Sequence, residues 1–355
     1  MNKLLVELIS VALGSRRECS CSNSAKDWRE VLELSALQGV SAIAFDGFST
    51  LLSSSADALS IPLDIKLRWI GQVSFQEQVY ERNWDVACAL AELLKSVEIE
   101  PLVLKGRSIA SFYTKPEHRY SCDIDVFIPS PDWERACGVL EENGITLVRD
   151  VYKEVEFTYK GVYVECHRCI TPYRGNKVLK RFEKYLRRLL TNSTKLYFDG
   201  TSLVRPPLMF TTMLFIEHAL GDLLHGKLSL KHIVDWSYIR RQDIDKVEVT
   251  RLCDSFGFSR FLQLIDGLAD VIEGSKDYES LSAEYKEVFD SFFVVPRSRG
   301  AIGRKPKGLL ARRIELFFDI IRNEKMYRRF GYCSMGRFLF GSIWTHFFDK
   351  KIEEV

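Results

Sequence analysis

Two aspartates alternate with apolar residues in the first half of the chain, at residues 123–128, whose sequence is DIDVFI. Residues two apart on a β-strand point to the same side, so Asp123 and Asp125 lie side by side while Ile124 and Val126 face a core. Like charges this close repel each other unless a cation or a proton lies between them. Mg²⁺ suits that position because it binds carboxylate oxygens together with substrate phosphates. The segment therefore predicts a buried strand that carries a metal site.

A glycine turn precedes this strand. Residues 101–104 (PLVL) predict a short buried strand, and Lys105 and Gly106 then lead into a predicted helix at 108–113. The exposed N–H groups at a helix N-terminus are suited to binding phosphate. One supersecondary unit is thus expected to provide a phosphate site followed by a metal site.

This arrangement resembles the nucleotidyltransferase superfamily, which has the DNA polymerase β-like fold. More closely, the chain is similar to a bacterial family of uncharacterised nucleotidyltransferases. That family has Leu-Lys-Gly after apolar residues, a short helix ending near Tyr, Arg-x-x-x-Asp-x-Asp, and a later Glu/Asp-x-His strand. The matching residues here are Leu104, Lys105, Gly106, Tyr113, Arg119, Asp123, Asp125, Glu165 and His167. The superfamily's usual Gly-Ser pair is interrupted by Arg107, which precedes Ser108, and the gap from the glycine to the first aspartate is longer than usual.

The resemblance implies an α+β fold, with a polymerase β-like core on a small mixed sheet and helical regions on both sides. We expect an N-terminal helical region at 1–98, the nucleotidyltransferase core at 99–200 and a C-terminal helical domain at 201–355. Residues 1–14 predict the first helix of the fold rather than a signal peptide, because Glu7 interrupts the apolar run.

Within the core, the segments 155–159 and 162–167 alternate apolar and polar residues around a Lys-Gly pair at 160–161, which predicts a β-hairpin. Glu165 and His167 share one side of the second strand. Glu165 is therefore placed to be the third metal carboxylate. The alternative is a cross-strand pair between Glu165 and a neighbouring cation.

The resemblance also implies a transferase that uses Mg²⁺ or Mn²⁺ to move a nucleoside monophosphate from an NTP to an acceptor hydroxyl or phosphate. Asp123, Asp125 and Glu165 are expected to hold two metal ions and to form the catalytic centre. One ion would activate the acceptor hydroxyl, and the other would bridge the triphosphate. The residues expected to bind the nucleotide are Lys105, Gly106, Arg107, Ser108, Arg119, His167, His218, His225 and Asp235.

Three histidines recur every seven residues in the second half of the chain, His218, His225 and His232, and Asp235 follows them. Positions seven apart lie on nearly the same face of an unbroken helix. Because Gly226 breaks the register, His218 and His225 can share a face, whereas His232 need not. This face is expected to close over the acceptor or the nucleobase. The alternative is that each histidine is a satisfied, partly buried polar group.

A basic segment near the C-terminus has no acidic residue between its cations. It is expected to form a loop that either contacts the phosphates of a polyanionic acceptor or is simply solvated. Its basic residues are Arg297, Arg299, Arg304, Lys305, Lys307, Arg312 and Arg313.

Composition limits the partners. The net charge of +2 over 355 residues creates no global field that favours nucleic acid or a membrane. No apolar run reaches the roughly 20 residues of a membrane-spanning helix. Nine cysteines at irregular spacings indicate free thiols and a cytoplasmic protein.

The acceptor stays open at this point: a small molecule, a protein side chain and RNA all fit the sequence, as does any NTP. Two rival functions also remain. One is a non-catalytic protein on the same fold that binds a nucleotide or a partner, and the other is an RNA-acting, toxin-like enzyme that modifies tRNA.

Overall fold

Helices precede and follow a mixed β-sheet, which confirms the predicted α+β class. The computed structural model describes residues 2–19, 24–54, 61–149, 154–171, 173, 176–294, 323–332 and 336. The basic segment at 297–313 lies outside the described residues. None of the described helices combines the length and the apolar composition needed to cross a bilayer.

Four described helices precede the sheet. The second begins with a capping box, in which the Ser24 hydroxyl accepts from the N–H of Asp27 and the Asp27 carboxylate accepts from the N–H of Ser24. Gly39 follows its end with a φ of +69°, the left-handed conformation that commonly ends a helix. The four helices are α1 (Lys3–Ala12), α2 (Ala25–Leu37), α3 (Ser41–Ser54) and α4 (Leu63–Lys95).

The middle of the chain alternates strands with helices. The helix after the glycine turn is shorter than predicted, and helix α6 ends before Asn143. The elements are β1 (Leu102–Val103), α5 (Arg107–Ala110), β2 (Asp123–Phe127), α6 (Trp133–Glu142), β3 (Val148–Arg149), β4 (Glu154–Tyr159), β5 (Val162–His167), α7 (Lys177–Asn192), β6 (Leu196–Tyr197) and β7 (Val204–Arg205).

Helices return after the last strand. The two helices predicted on either side of Gly226 are present, and the glycine has a φ of +69° in the turn between them. The described helices are α8 (Leu208–Leu224), α9 (Leu230–Ile239), α10 (Lys246–Phe256), α11 (Ser259–Ile272), α12 (Ala283–Ser291) and α13 (Glu324–Phe330).

The described strands form one seven-stranded sheet in the order β3-β4-β5-β2-β1-β7-β6. Strands β2 and β5 are parallel, as are β1 and β7, while the other neighbours are antiparallel. The predicted hairpin is β4–β5, and its turn residues Lys160 and Gly161 have φ of +47° and +78°. Two positive φ values are typical of the type I′ turn, whose twist matches that of the strands.

Two hydrophobic cores support the sheet. The larger core is shared by α1–α4 and α8–α13, together with a few side chains of the sheet. The smaller core lies between α6, the second half of α4 and the side of the sheet that carries Ile124 and Val126. The boundaries at 98 and 200 remain predictions, but the helices before and after the sheet share one core.

A buried ion pair joins the β-core to helix α9. Arg119 and Asp235 are 5% and 1% exposed. The Arg119 Nε donates to Oδ1 of Asp235 at 2.7 Å, and its Nη2 donates to Oδ2 at 2.9 Å. The Tyr113 hydroxyl donates to the same Oδ1 at 2.6 Å, and Arg119 Nη1 donates to the Gly106 carbonyl at 3.2 Å. The pair therefore links the glycine turn to the C-terminal helices.

We predict that Arg119→Ala or Asp235→Ala lowers the free energy of unfolding by about 3–5 kcal/mol, because each leaves a buried charge without its partner. The double change Arg119→Met with Asp235→Leu should cost much less than the sum, since no unpaired charge remains. Urea unfolding followed by circular dichroism measures these values. Arg251→Ala, which breaks an exposed pair with Glu248, is the control and should stay within about 1 kcal/mol of wild type. An additive double variant would contradict the prediction.

Candidate active site

The two central strands place the predicted metal carboxylates on one side of the sheet. Their parallel register sets Asp125 beside Glu165, and Asp123 lies two residues earlier on β2. Side chains two apart on a strand, and paired residues on neighbouring strands, point to the same side. The three acids line one cavity of about 410 Å³ between the sheet and helices α8 and α9.

Lys105 and His167 lie against the buried carboxylate of Asp125. The Lys105 Nζ is 3.1 Å from Asp125 Oδ1, and the His167 Nε2 is 2.9 Å from the same oxygen. The other ring nitrogen, Nδ1, lies 2.9 Å from Glu154 Oε2, while Glu165 Oε2 is 3.8 Å from Nε2. His167 is thus buried among three carboxylates, and its predicted part in nucleotide binding stays a prediction.

The two paired acids, Asp125 and Glu165, differ in how well their negative charges are compensated by neighbouring groups. Burial disfavours the Asp125 carboxylate, but the Lys105 ammonium and His167 outweigh it and hold the pKa of Asp125 well below its usual range. Burial, with the nearby charges of Asp125 and Glu154, raises the pKa of Glu165. The Lys105 charge is opposed by burial but favoured more strongly by the surrounding carboxylates, which raise its pKa. Of these two acids, Glu165 therefore has the less compensated negative charge.

The donor set suits a hard divalent cation. Asp123, Asp125 and Glu165 offer carboxylate oxygens, the ligands that Mg²⁺ and Mn²⁺ prefer. The raised pKa of Glu165 reflects burial first and then the nearby charges of Asp125 and Glu154, and a bound cation offsets both by favouring the charged carboxylate. Ligand atoms of Asp125, Glu165 and His167 lie within 4.8 Å of one another. The residues present therefore fit the metal that the sequence predicts.

The glycine turn lies where the sequence predicted it, but Ser108, which follows the turn, does not line the cavity. Gly106 has a φ of +61°, a conformation that strongly favours glycine. Its turn lines the cavity, although helix α5 that follows is a single turn long. Ser108 is buried, and its hydroxyl donates to the Val103 carbonyl at 2.8 Å. The Ser108 hydroxyl thus holds the turn against β1, and triphosphate binding by Ser108 stays a prediction.

Arg107 lies beside the cavity rather than among the acids. Its guanidinium carbon is 4.2 Å from the ring centroids of both Tyr80 and Trp84, so it stacks between two aromatic side chains of α4. These residues line a small hollow of about 40 Å³, which also reaches Asp123. Its predicted role in neutralising the triphosphate stays a prediction.

Arg119 and Asp235 were expected to bind nucleotide, and this stays a prediction, but the structure shows them paired with each other. Both line the cavity, but their charges and hydrogen bonds are directed at each other, as described above. A guanidinium that already has a bidentate carboxylate partner keeps few N–H donors and little uncompensated charge for a phosphate. The pair therefore holds the walls of the cavity together.

The histidines that line the cavity are not the pair expected to share a helix face, and a role of His225 in nucleotide binding stays a prediction. His218 and His232 both line the cavity, and Asp222 lies between them. His225 caps the end of α8, where its Nδ1 lies 2.7 Å from the Gly221 carbonyl, and its ring packs against Tyr327. The turn at Gly226 reverses the chain, so a residue of the next helix faces His218.

The protons on these histidines are fixed by their neighbours. The backbone N–H of Ser229 donates to Nδ1 of His232 at 3.1 Å, so the proton of the neutral ring lies on Nε2, 3.0 Å from Asp222 Oδ2. The Lys105 ammonium can only donate, so Nε2 of His218, at 3.3 Å, accepts from it. The charge of Lys105, with burial, lowers the pKa of His218 to about 3.

Although His218, Asp222 and His232 are close enough to hold a metal ion, this proton arrangement favours another role. A metal on His232 Nε2 would require the loss of the proton that this nitrogen donates to Asp222. We therefore interpret the three residues as a chain of close polar contacts that ends on Lys105. The carboxylate cluster remains the better metal site.

Three charged residues of the cavity escaped the sequence analysis, and His232 was named there without a place in the site. The three are Asp222, Lys227 and Lys231, from α8, α9 or the turn between them. Burial, with the nearby charge of Arg119, lowers the pKa of Lys231. The one available signal was the seven-residue histidine spacing, which included His232 but did not show that the turn would face it toward His218.

One family model matches this chain. It is described as an uncharacterised nucleotidyltransferase and matches residues 24–272, which include every acid and lysine named for the cavity. The match spans well over half of the 355 residues. No curated protein matches the chain.

We predict opposite effects of two acid substitutions on the metal-free protein. Glu165→Gln should raise the melting temperature by about 1–3 °C, because it removes an uncompensated charge worth roughly 1 kcal/mol of repulsion. Asp125→Asn should lower it, because Lys105 and His167 lose the carboxylate that balances them. Thermal unfolding with and without MgCl₂ measures both. Stabilisation by Mg²⁺ should be present in wild type and lost in each variant. Equal Mg²⁺ stabilisation in all three proteins would contradict the metal assignment.

Proposed function

This chain belongs to the uncharacterised nucleotidyltransferase family, and on that premise we propose that it transfers a nucleoside monophosphate from an NTP to an acceptor. The proposal rests on one observation above all. Parallel strands β2 and β5 place Asp125 beside Glu165 at the wall of a cavity that also contains three lysines. Carboxylates for a cation and ammonium groups for phosphates are thus offered to one ligand. A polymerase β-like core is part of the proposal, supported by the mixed sheet and the glycine turn before the Asp-x-Asp strand.

Asp123, Asp125 and Glu165 would hold the divalent cation, which supplies Lewis-acid stabilisation to the phosphoryl oxygens when bound. Asp125 is buried and anchored by His167, so its position varies little. Glu165 is less balanced, and therefore gains most from a cation. The rigid sheet beneath these side chains favours catalysis by positioning and by preorganised charge.

The lysines would bind the triphosphate. Lys105, Lys227 and Lys231 line the same cavity as the Gly106 turn. The Lys231 ammonium is disfavoured by burial and by Arg119, so a phosphate beside it relieves an existing cost. Lys227 lies at the exposed rim, where it meets an incoming anion first.

His218 would direct Lys105 between its two partners. The ammonium lies 3.1 Å from Asp125 and 3.3 Å from the neutral ring of His218. Asp222 holds that ring, and His232 holds Asp222. Because the His218 ring is neutral, it can keep Lys105 oriented toward the cavity without compensating the lysine's positive charge. That charge stays available to bind a phosphate.

We predict that Lys231→Ala weakens Mg·ATP binding by roughly 10–100-fold, since a charge-assisted hydrogen bond is worth about 1.5–3 kcal/mol. Lys227→Ala should have a smaller effect because that side chain is exposed. Isothermal titration calorimetry with Mg·ATP measures both affinities. Lys246→Ala, an exposed lysine at the start of α10, is the matched control and should bind like wild type. Unchanged affinity in the Lys231 variant would place the triphosphate elsewhere.

The activity itself is tested by incubating the protein with each of the four NTPs, labelled at the α-phosphate, with Mg²⁺ or Mn²⁺ and a cell extract. We expect label to move from the NTP into another molecule with release of pyrophosphate. The Asp123→Asn variant should show neither. Pyrophosphate release that is equal in wild type and in this variant would contradict the assignment.

A further inference from the structure

One face of helix α4 lines a groove of about 600 Å³. The residues of this face recur at intervals of three and four, which keeps them on one side of the helix. They are Gln72, Phe75, Gln76, Val79, Arg82 and Asn83. Other parts of the wall include Tyr120, Cys122 and residues 161–163 at the hairpin turn. A groove of this volume is large enough for part of a small-molecule substrate.

The groove adjoins the first carboxylate of the candidate active site. Tyr163, which lines the groove, pairs with Asp123 in the parallel register of β2 and β5, so both side chains leave the sheet on the same side. Cys122, one residue before Asp123, lines the groove as well. Asn83 lines both the groove and the hollow of about 40 Å³ that reaches Asp123. One ligand can therefore place one part in the groove and another beside the acids.

Aromatic rings are accessible along the groove. Phe75 and Tyr120 are 67% and 44% exposed, and Tyr163 is half-buried. The face of an accessible aromatic ring is suited to stacking with another flat ring. Among the described residues that line the groove, Arg82 is the one charged residue, whereas three lysines line the charged cavity. The groove therefore suits a flat, uncharged ring better than a phosphate.

Two amide side chains that line the groove have their orientation fixed by the backbone. Nε2 of Gln76 donates to the Glu117 carbonyl at 3.2 Å, and Nδ2 of Asn83 donates to the Ser121 carbonyl at 3.5 Å. Because a carbonyl oxygen can only accept, each amide turns its nitrogen to the backbone, and its own oxygen is left to accept from a ligand. Adenine, guanine and cytosine carry an exocyclic amino group that donates such hydrogen bonds, whereas uracil carries none.

We propose that this groove holds the nucleobase of the donor NTP, and that the Gln76 and Asn83 oxygens select a base with an exocyclic amino group. This inference rests on the proposed nucleotidyl transfer and adds the class of its donor. The triphosphate would bind in the lysine-lined cavity and the base in the groove, so that each part of one molecule contacts a surface of matching chemistry. Unpaired bases are recognised in the same manner elsewhere, by stacking on aromatic rings and by hydrogen bonds to the base edge.

The first test compares ligands on the full wild-type chain. Isothermal titration calorimetry measures the affinities of Mg·ATP, Mg·GTP, Mg·CTP, Mg·UTP and Mg·tripolyphosphate, which has the phosphates but no base. We expect Mg·UTP to be the weakest of the four nucleotides, by at least about fivefold relative to the best of them, the effect of one net hydrogen bond. Four equal affinities would refute selection by the amides.

The second test removes the stacking rings. Phe75→Ser with Tyr120→Ser should weaken the best-bound nucleotide by roughly tenfold or more, as expected for the loss of base stacking. Its affinity for Mg·tripolyphosphate should stay within about twofold of wild type, because no base is involved. Leu63→Ser with Leu67→Ser removes exposed apolar side chains of the same helix outside the groove. This matched control should bind every ligand like wild type, and circular dichroism establishes that both variants are folded.

The third test removes one of the two acceptors. Asn83→Leu should reduce the advantage of the best nucleotide over Mg·UTP by at least about threefold, since the lost hydrogen bond is specific to the amino group. Binding of Mg·UTP is the internal control for any general damage to the site. An unchanged ratio between the two nucleotides would refute the role of Asn83.

The remaining outcomes separate this inference from the proposed function. A stacking variant that loses nucleotide and tripolyphosphate equally would refute the base site, because the effect would not depend on a base. A stacking variant that binds every nucleotide like wild type, but no longer binds adenosine in the presence of saturating Mg·ATP, would assign the groove to an acceptor nucleotide and refute the donor assignment. Failure of the wild-type chain to bind any Mg·NTP would refute the proposed function itself.

Discussion

The buried pair between Arg119 and Asp235 determines the shape of the site. Arg119 donates to the Gly106 carbonyl as well as to Asp235, so one guanidinium holds the glycine turn and helix α9 at once. Tyr113 adds a third contact from the segment after α5. Two buried charges are stable only when they are paired and well hydrogen-bonded. The wall that carries Lys231 and the wall that carries the acids therefore keep a fixed separation.

Within this frame, Lys105 lies between two polar systems. On one side are the acids of the sheet, and on the other is the chain of His218, Asp222 and His232 from the helices. Because a lysine only donates, it imposes a neutral state on His218 and a charged state on Asp125. One side chain thus couples the protonation of both walls. In the proposed reaction, Lys105 is the positively charged side chain that is best placed to contact a triphosphate.

The strand that carries the aspartates also separates two hollows of different chemistry. The cavity toward α8 and α9 is rich in charge, whereas Arg82 is the one charged residue that lines the groove beside α4. Asp123 lines the charged cavity, and Cys122, the residue before it, lines the groove.

The sequence by itself determined the features that depend on neighbours along the chain. Alternation at 123–128 and 162–167 predicted both strands, and the side of each strand on which Asp125 and Glu165 lie follows from the pleat. The hairpin turn has the same local origin, whereas the family resemblance predicted the α+β class. Tertiary structure alone decided the contacts that span more than a hundred residues, such as Arg119 with Asp235 and Lys105 with His218. It placed His232 rather than His225 beside His218 and turned the Ser108 hydroxyl to the backbone. Local periodicity fixes the direction in which a side chain leaves its own helix or strand, but the partner that it meets depends on how separate elements pack.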